Sequence, residues 1–213
     1  MNTTHPTGTR GRFTLALGGD VIGPGEPVTP LGISSIDSVS ALFRTADAGF
    51  ANHESSTFDL ATFEGTRAAV NGGGYPLSPP SVAADLRAFG LSLLSKANNH
   101  ATDWGAEGLL ATERTLTHAG IVTAGSGCSR ADAQRPRYLA TPKGRIALIS
   151  FATTFTGPSV AGSAGGRYLA RPGIFAVRVD ETTVVTPDDY AVVERIAMRQ
   201  SSGDLDDRSS VRD

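Results

Sequence analysis

Apolar residues in this chain come in short blocks, each closed by Gly, Asn, Asp or Pro. Phe13 to Leu17 predicts a first strand, ending in Gly18-Gly19-Asp20, where two glycines let the backbone turn and leave Asp20 exposed at the strand end. After a Pro- and Gly-rich loop, Gly23 to Gly32, a helix capped by Ser34 or Ser35 carries Ile36, Val39, Phe43 and Ala46 at helical spacing. Ala48 to Ala51 predicts a short strand followed at once by Asn52-His53-Glu54. Residues 55–74 show no clear element, and Gly72-Gly73-Gly74 reads as a turning loop. Ser78-Pro79-Pro80 opens a second helix with Val82, Leu86 and Phe89 buried and Gly90 at its end. Leu91 to Ser95 is a strand, Ala106 to His118 a helix stopped by Gly120, and Ile121 to Ala124 another strand. Gly125-Ser126-Gly127 reads as a turn, since it lacks the Lys of a phosphate loop. Arg145 to Phe151, after the turn Pro142-Lys143-Gly144, and Ile174 to Val179 are strands, with a Gly/Ser-rich loop over 156–166 between them. A final helix, Asp188 to Arg199, places Tyr190, Val193, Ile196 and Ala197 on one side. The polar ends, 1–12 and 201–213, predict disorder, which leaves one α/β domain over 13–200.

The alternation of strands and helices implies a largely parallel sheet with helical cover. Asp20, then Asn52 and Glu54, then Asn98, Asn99 and His100 each follow a strand directly. In such a sheet these strand ends share one edge, the edge where ligands bind. The stretch Lys96 to Gly105 is the most informative: a turn needs one Asn, and a helix cap explains Asp103, but neither explains Asn98-Asn99-His100 together. Oxygen and nitrogen donors of this kind suit Mn, Mg, Zn or Fe(II), and paired ions are a usual apparatus for phosphoester hydrolysis. The metal-free alternative is acid/base work by Glu54 and His100, with Asn side chains orienting a substrate amide.

Composition narrows these classes. The 213 residues suffice for one ordinary domain, and 25 Gly and 12 Pro favour a loop-rich α/β chain over a helical bundle. A net charge of −2 gives no basic footprint for nucleic acid. Cys128 stands alone, so neither an internal disulfide nor a Cys-based zinc site is available. No apolar h-region or membrane-length run is visible, which predicts a cytoplasmic chain without a membrane span.

Gly19-Asp20-Val21-Ile22, Ala51-Asn52-His53-Glu54 and Ala97-Asn98-Asn99-His100-Ala101-Thr102-Asp103-Trp104-Gly105 together resemble the CapA family of poly-γ-glutamate capsule biosynthesis proteins. Ala119-Gly120-Ile121, Gly125-Ser126-Gly127, Ala131 to Pro136, Arg145 to Phe151 and Arg171-Pro172-Gly173 are similar to that family too, so the resemblance covers 13 to about 180. It implies a metallophosphatase-like α/β/β/α sandwich. It also implies metal ligation by Asp20, Glu54 and Asn99, with catalytic roles for Asp20 and Glu54 and for His100 as the acid that protonates a leaving group. Asn52, Asn98 and Asp103 are the expected substrate-binding residues. The implied substrate is a phosphoester, a peptide or polyglutamate with γ-glutamyl bonds. Three departures stand out. Ile22 occupies the position of a usual His, the family's Asn-Leu-Glu-like triplet reads Asn52-His53-Glu54, and no His follows His118 where the family has later histidines. Half of the expected site is therefore missing, which fits either a truncated form of a longer protein, the favoured expectation, or a natural short member that has lost metal catalysis. A divalent metal held weakly or not at all, and self-association or a partner covering an exposed sheet face, are the corresponding expectations. Three functions remain open at this point: a metal-dependent hydrolase or transferase, a metal-free epimerase-like acid/base enzyme on a peptide, and a non-catalytic component of a polymer-synthesis assembly.

Overall fold

A computed structural model describes residues 12–68, 74–180, 182 and 184–201. The predictions for residues 1–11, for Gly72 and Gly73, and for 202–213 lie outside the described residues. The chain divides at Arg178/Val179 into two units, taken separately below.

In the first unit, β1 (Leu15–Val21), α1 (Ser34–Thr45), β2 (Ala48–His53), β3 (Ser56–Thr57), β4 (Leu77–Ser78), α2 (Pro80–Phe89), β5 (Leu93–Ser95), α3 (Gly105–His118) and β6 (Val122–Ala124) follow in order. Then come β7 (Ser126–Gly127), the short α4 (Arg130–Ala133), β8 (Arg137–Thr141), β9 (Gly144–Leu148) and β10 (Gly173–Ile174). The central sheet has the order β1-β2-β5-β6 and every pairing in it is parallel. The α/β class with a parallel sheet is thus as the sequence implies.

Strand order follows chain order, so successive right-handed crossovers put the helices on one face. Accordingly α1 packs on α2 and α2 on α3. Between them and the sheet lies a core of Ala51, Val82, Leu86, Leu91, Leu94, Leu116 and Ile121, with Phe43 and Val21 against it. Leu94 and Leu116 are fully buried, each contributing about 1.5–3 kcal/mol of transfer free energy. Gly90, at φ 114°, ends α2 as predicted; a Cβ there would also meet the Phe43 backbone at 2.7 Å.

The opposite face carries a row of register partners, Leu17, Phe50, Leu93 and Val122. Burial fades along it: Leu93 is 2% exposed, Phe50 is half-buried, and Leu17 on β1 is 68% exposed. Ile149 and Phe151 are also more than half exposed. A second small core, Ala97, Ala101, Leu109, Ala152 and Ile174, seats the segment that follows β9.

Several local predictions need correction. Strand β1 runs through Gly18-Gly19-Asp20 to Val21 instead of ending at Leu17. Neither Ser34 nor Ser35 caps α1: the cap position is Ile33, and the first turn holds Asp37. Ser78 belongs to β4 and Pro79 caps α2 without a side-chain bond. The segment after Ser55 does hold structure, the parallel pair β3–β4 and a single 3-10 turn at Leu60–Thr62. The predicted strand to Phe151 stops at Leu148 because Ser150 and Ala152 leave the β8–β9 hairpin for other partners: Ser150 Oγ bonds Ser95 Oγ at 2.7 Å, and Ala152 N donates to Phe175 O at 3.0 Å. The strand expected over 174–179 shrinks to Gly173–Ile174, which pairs with β7.

In the second unit, α5 (Pro187–Ser201) begins with a Thr186 cap, whose Oγ1 accepts from Asp189 N at 3.2 Å. Asp188 and Asp189 lie in its first turn and Arg199 in its last, matching the helix dipole. Among the described residues no helix is long and apolar enough to cross a membrane.

Candidate active site

The site begins with an irregularity in β1. Leu17 pairs with Phe50, but the next pair is Asp20 with Asn52, so β1 carries one extra residue. A bulge of this kind re-aims the side chain beyond it. Without it Gly19 would stand opposite Asn52; with it, Asp20 does. Asn52 Nδ2 then donates to Asp20 Oδ1 at 2.8 Å.

The chain of amides continues into the loop after β5. Asn98, buried, donates through Nδ2 to Asn52 Oδ1 at 3.1 Å and to His53 O at 3.0 Å. Its Oδ1 accepts from His100 N at 3.2 Å, which fixes the turn carrying Asn99 and His100. Asn99 lies half-buried in that turn.

His100 is held from behind. Its Nδ1 is 2.8 Å from Asp103 Oδ2, and Asp103 is only 2% exposed. The carboxylate fixes the Nδ1–H tautomer and turns Nε2 outward, to 3.9 Å from Glu54 Oε1. Asp103 therefore does not cap the next helix; Trp104 is the cap residue of α3 and makes no side-chain cap bond. Burial pushes the Asp103 carboxyl up, and the hydrogen bond and charge of His100 oppose this.

Glu54 lies just past β2, its N–H bonded to Val21 O at 3.0 Å. Burial raises its carboxyl above the ordinary range, and the charge and hydrogen bond of Asp20 raise it further, while His100 acts the other way. A glutamate carboxyl crowded by a neighbouring aspartate forms a place where a cation is welcome. With Asp20, Glu54 and neighbouring amide oxygens, the donor set fits one hard divalent ion such as Mg or Mn. Among the described residues no group of three or more His, Cys, Asp and Glu is spaced to hold a metal unaided, so amide oxygen would have to complete the shell.

Two residues escaped the sequence reading. Lys96 is fully buried, and its Nζ reaches Ser55 O at 2.7 Å, His53 Nδ1 at 3.1 Å and His53 O at 3.3 Å. Burial lowers its ammonium to about 7, against the pull of Glu113 and Asp103. His53, also buried, is kept well below its usual range by burial first and by Lys96 second. The signal for Lys96 was its place: two residues after Leu94, on the helix-covered face of β5, where a charge is unexpected. A groove of about 940 Å³ lies away from this chemistry, between Phe58, Phe63, Ala83, Glu107 and Arg114.

A parallel sheet whose first strand delivers an aspartate, and whose next two strand exits deliver a glutamate and a carboxylate-oriented histidine, defines an α/β protein of metallophosphatase-like build. More particularly, the chain belongs to the family described as "Bacterial capsule synthesis protein PGA_cap", which matches residues 14–205. It is also 41% identical over 184 residues to the uncharacterized proteins y4sH and y4uA of Sinorhizobium fredii. Those alignments take in 86% of this chain and 40% of each relative, so the chain spans less than half the length of the proteins it matches.

Proposed function

We propose that this chain carries part of the site of a metal-dependent hydrolase or transferase that works on capsule polymer, at phosphoester or γ-glutamyl bonds. The observation that supports this best is the posture of His100. Its Nδ1 is secured by buried Asp103 and its Nε2 faces the pocket shared by Glu54 and Asp20. Asp20, Glu54 and Asn99 would hold a divalent ion. When bound, that ion supplies Lewis-acid polarisation of the scissile group. His100, as imidazolium, delivers the proton from Nε2 to the leaving atom, and Asp103 stabilises the charge. Asn52 and Asn98, already bonded to one another, frame the substrate side of the pocket.

Hydrolysis of bis(p-nitrophenyl) phosphate and of poly-γ-glutamate, each with added Mn2+, tests the reading. Activity that falls about 10²–10⁴-fold in His100→Asn supports it. Turnover of both substrates unaffected by that change refutes it.

A second reading rests on one observation, the Glu54 carboxyl 3.9 Å from His100 Nε2. A base and an acid so arranged suit proton abstraction at a peptide Cα without metal. Metal-independent incorporation of deuterium from D2O into a peptide Cα would favour it over the first.

A further inference from the structure

Lys96 is a buried cation that the chemistry above does not use. Its three ammonium hydrogens meet three acceptors, His53 Nδ1, His53 O and Ser55 O, none of them charged. When Lys96 is protonated, Nδ1 accepts, and the His53 proton sits on Nε2 and is donated to Thr57 Oγ1 at 2.9 Å. The network continues inward: Thr57 N donates to Thr112 Oγ1 at 2.9 Å, and Thr112 Oγ1 to Gly108 O at 2.8 Å. Lys96 is thereby anchored, through β3, to the first half of α3.

An ammonium removed from water is costly even when fully hydrogen-bonded, and an apolar side chain of similar length usually serves stability as well or better. Packing alone does not account for the cation. Its acceptors do. The two carbonyls it grips belong to the residues immediately before and immediately after Glu54. Asn98 donates to the first of these carbonyls as well, and the Glu54 N–H is tied to Val21 O. Glu54 is thus a one-residue span whose main chain is fastened on both sides, three bonds coming from the exit of β5 and one from β1.

We propose that Lys96 is a positioning residue for Glu54: its ammonium clamps the carbonyls flanking Glu54 and sets that carboxyl group opposite Asp20 and His100. The inference rests on the proposed function for its use of Glu54, but the clamp is a property of the fold and is measurable without turnover.

Two measurements on the full chain test it, comparing Lys96→Met, Lys96→Gln and Glu54→Ala with the unaltered protein. The first is amide hydrogen exchange. In the Lys96 variants the amides of Glu54 and Ser55 should exchange at least about tenfold faster, while those of α3 and β5 hold their rates. Uniform acceleration through α3 and β5 would make Lys96 a general stability residue and overturn the proposal. The second is Mn2+ affinity, read by electron paramagnetic resonance of free Mn2+. Loss of a group that orients a ligand weakens binding about 10–100-fold. Lys96→Met should do so, and the double variant with Glu54→Ala should bind no more weakly than Glu54→Ala alone. Additive losses would overturn the clamp. If Lys96→Met does not fold, Lys96→Gln, which retains two donors, carries both measurements. If the unaltered chain binds no Mn2+, the metal reading of the site fails, and the exchange pattern alone decides the role of Lys96.

Discussion

Asp103 Oδ2 lies 2.8 Å from His100 Nδ1, and the carboxylate doing so is 2% exposed while the imidazole it holds reaches the pocket. Replacing Asp103 by Asn keeps the size and removes both the charge and the enforced tautomer. If His100 acts as the acid, turnover should fall about 10–10⁴-fold with little change in melting temperature. Equal rates for Asp103→Asn and the unaltered protein would detach His100 from the chemistry.

A second expectation concerns pH and Lys96. Its ordinary value near 10.5 is lowered to about 7 in the fold. Between those values the unfolded chain binds the proton and the folded chain does not, so this group makes stability rise as pH rises from about 7 towards 10.5. Below about 7 both states are protonated and the full cost of the buried charge is present. Urea midpoints across this range should climb less steeply in Lys96→Met than in the unaltered protein. Parallel curves would show that the ammonium keeps its proton in the folded state throughout.

Metal retention is expected to be poor. The oxygen-rich set of Asp20, Glu54 and amide groups lacks the several nitrogen or sulfur ligands that hold a transition ion against a chelator. Mn2+ bound to the purified chain should be stripped by EDTA dialysis, and Asp20→Asn should weaken its binding further. Stoichiometric metal surviving dialysis would require ligands beyond those named.

The row Leu17–Phe50–Leu93–Val122 gives a fourth expectation. Leu17, Ile149 and Phe151 present exposed apolar surface, and a patch of that kind promotes association. We expect the 213-residue chain to self-associate at micromolar concentration through this face. Leu17→Lys combined with Phe151→Lys should return it to monomer in sedimentation velocity. A cooperatively melting monomer before any substitution would show that the face is tolerated as it stands.

Much of this arrangement was legible from the chain. The helical spacing of Val82, Leu86 and Phe89 and the stop at Gly90 located α2, because one buried stripe and one left-handed residue suffice to define it. Parallel order followed from alternation alone, and with it the successive strand exits that carry Asp20, then Asn52 and Glu54, then Asn99 and His100. What escaped the sequence depended on partners remote in the chain. Ser78 looks like a helix cap until β4 pairs it beside Thr57. Asp103 looks like a cap until the imidazole three residues earlier takes its carboxylate. Only its place two residues after Leu94 marks Lys96 in the sequence, since its acceptors lie more than forty residues away at Ser55 and His53.

The extra residue in β1 bears on more than the aim of Asp20. Among the described residues β1 has a sheet neighbour on one side only, so its other edge offers backbone groups to any passing strand. A regular edge with Leu15 and Leu17 beside it would be a template for runaway pairing between copies. The bulge at Gly18-Gly19 interrupts the hydrogen-bonding rhythm that such pairing needs. The irregularity that brings Asp20 opposite Asn52 thus also makes this edge a poorer template for strand pairing than a regular one would be.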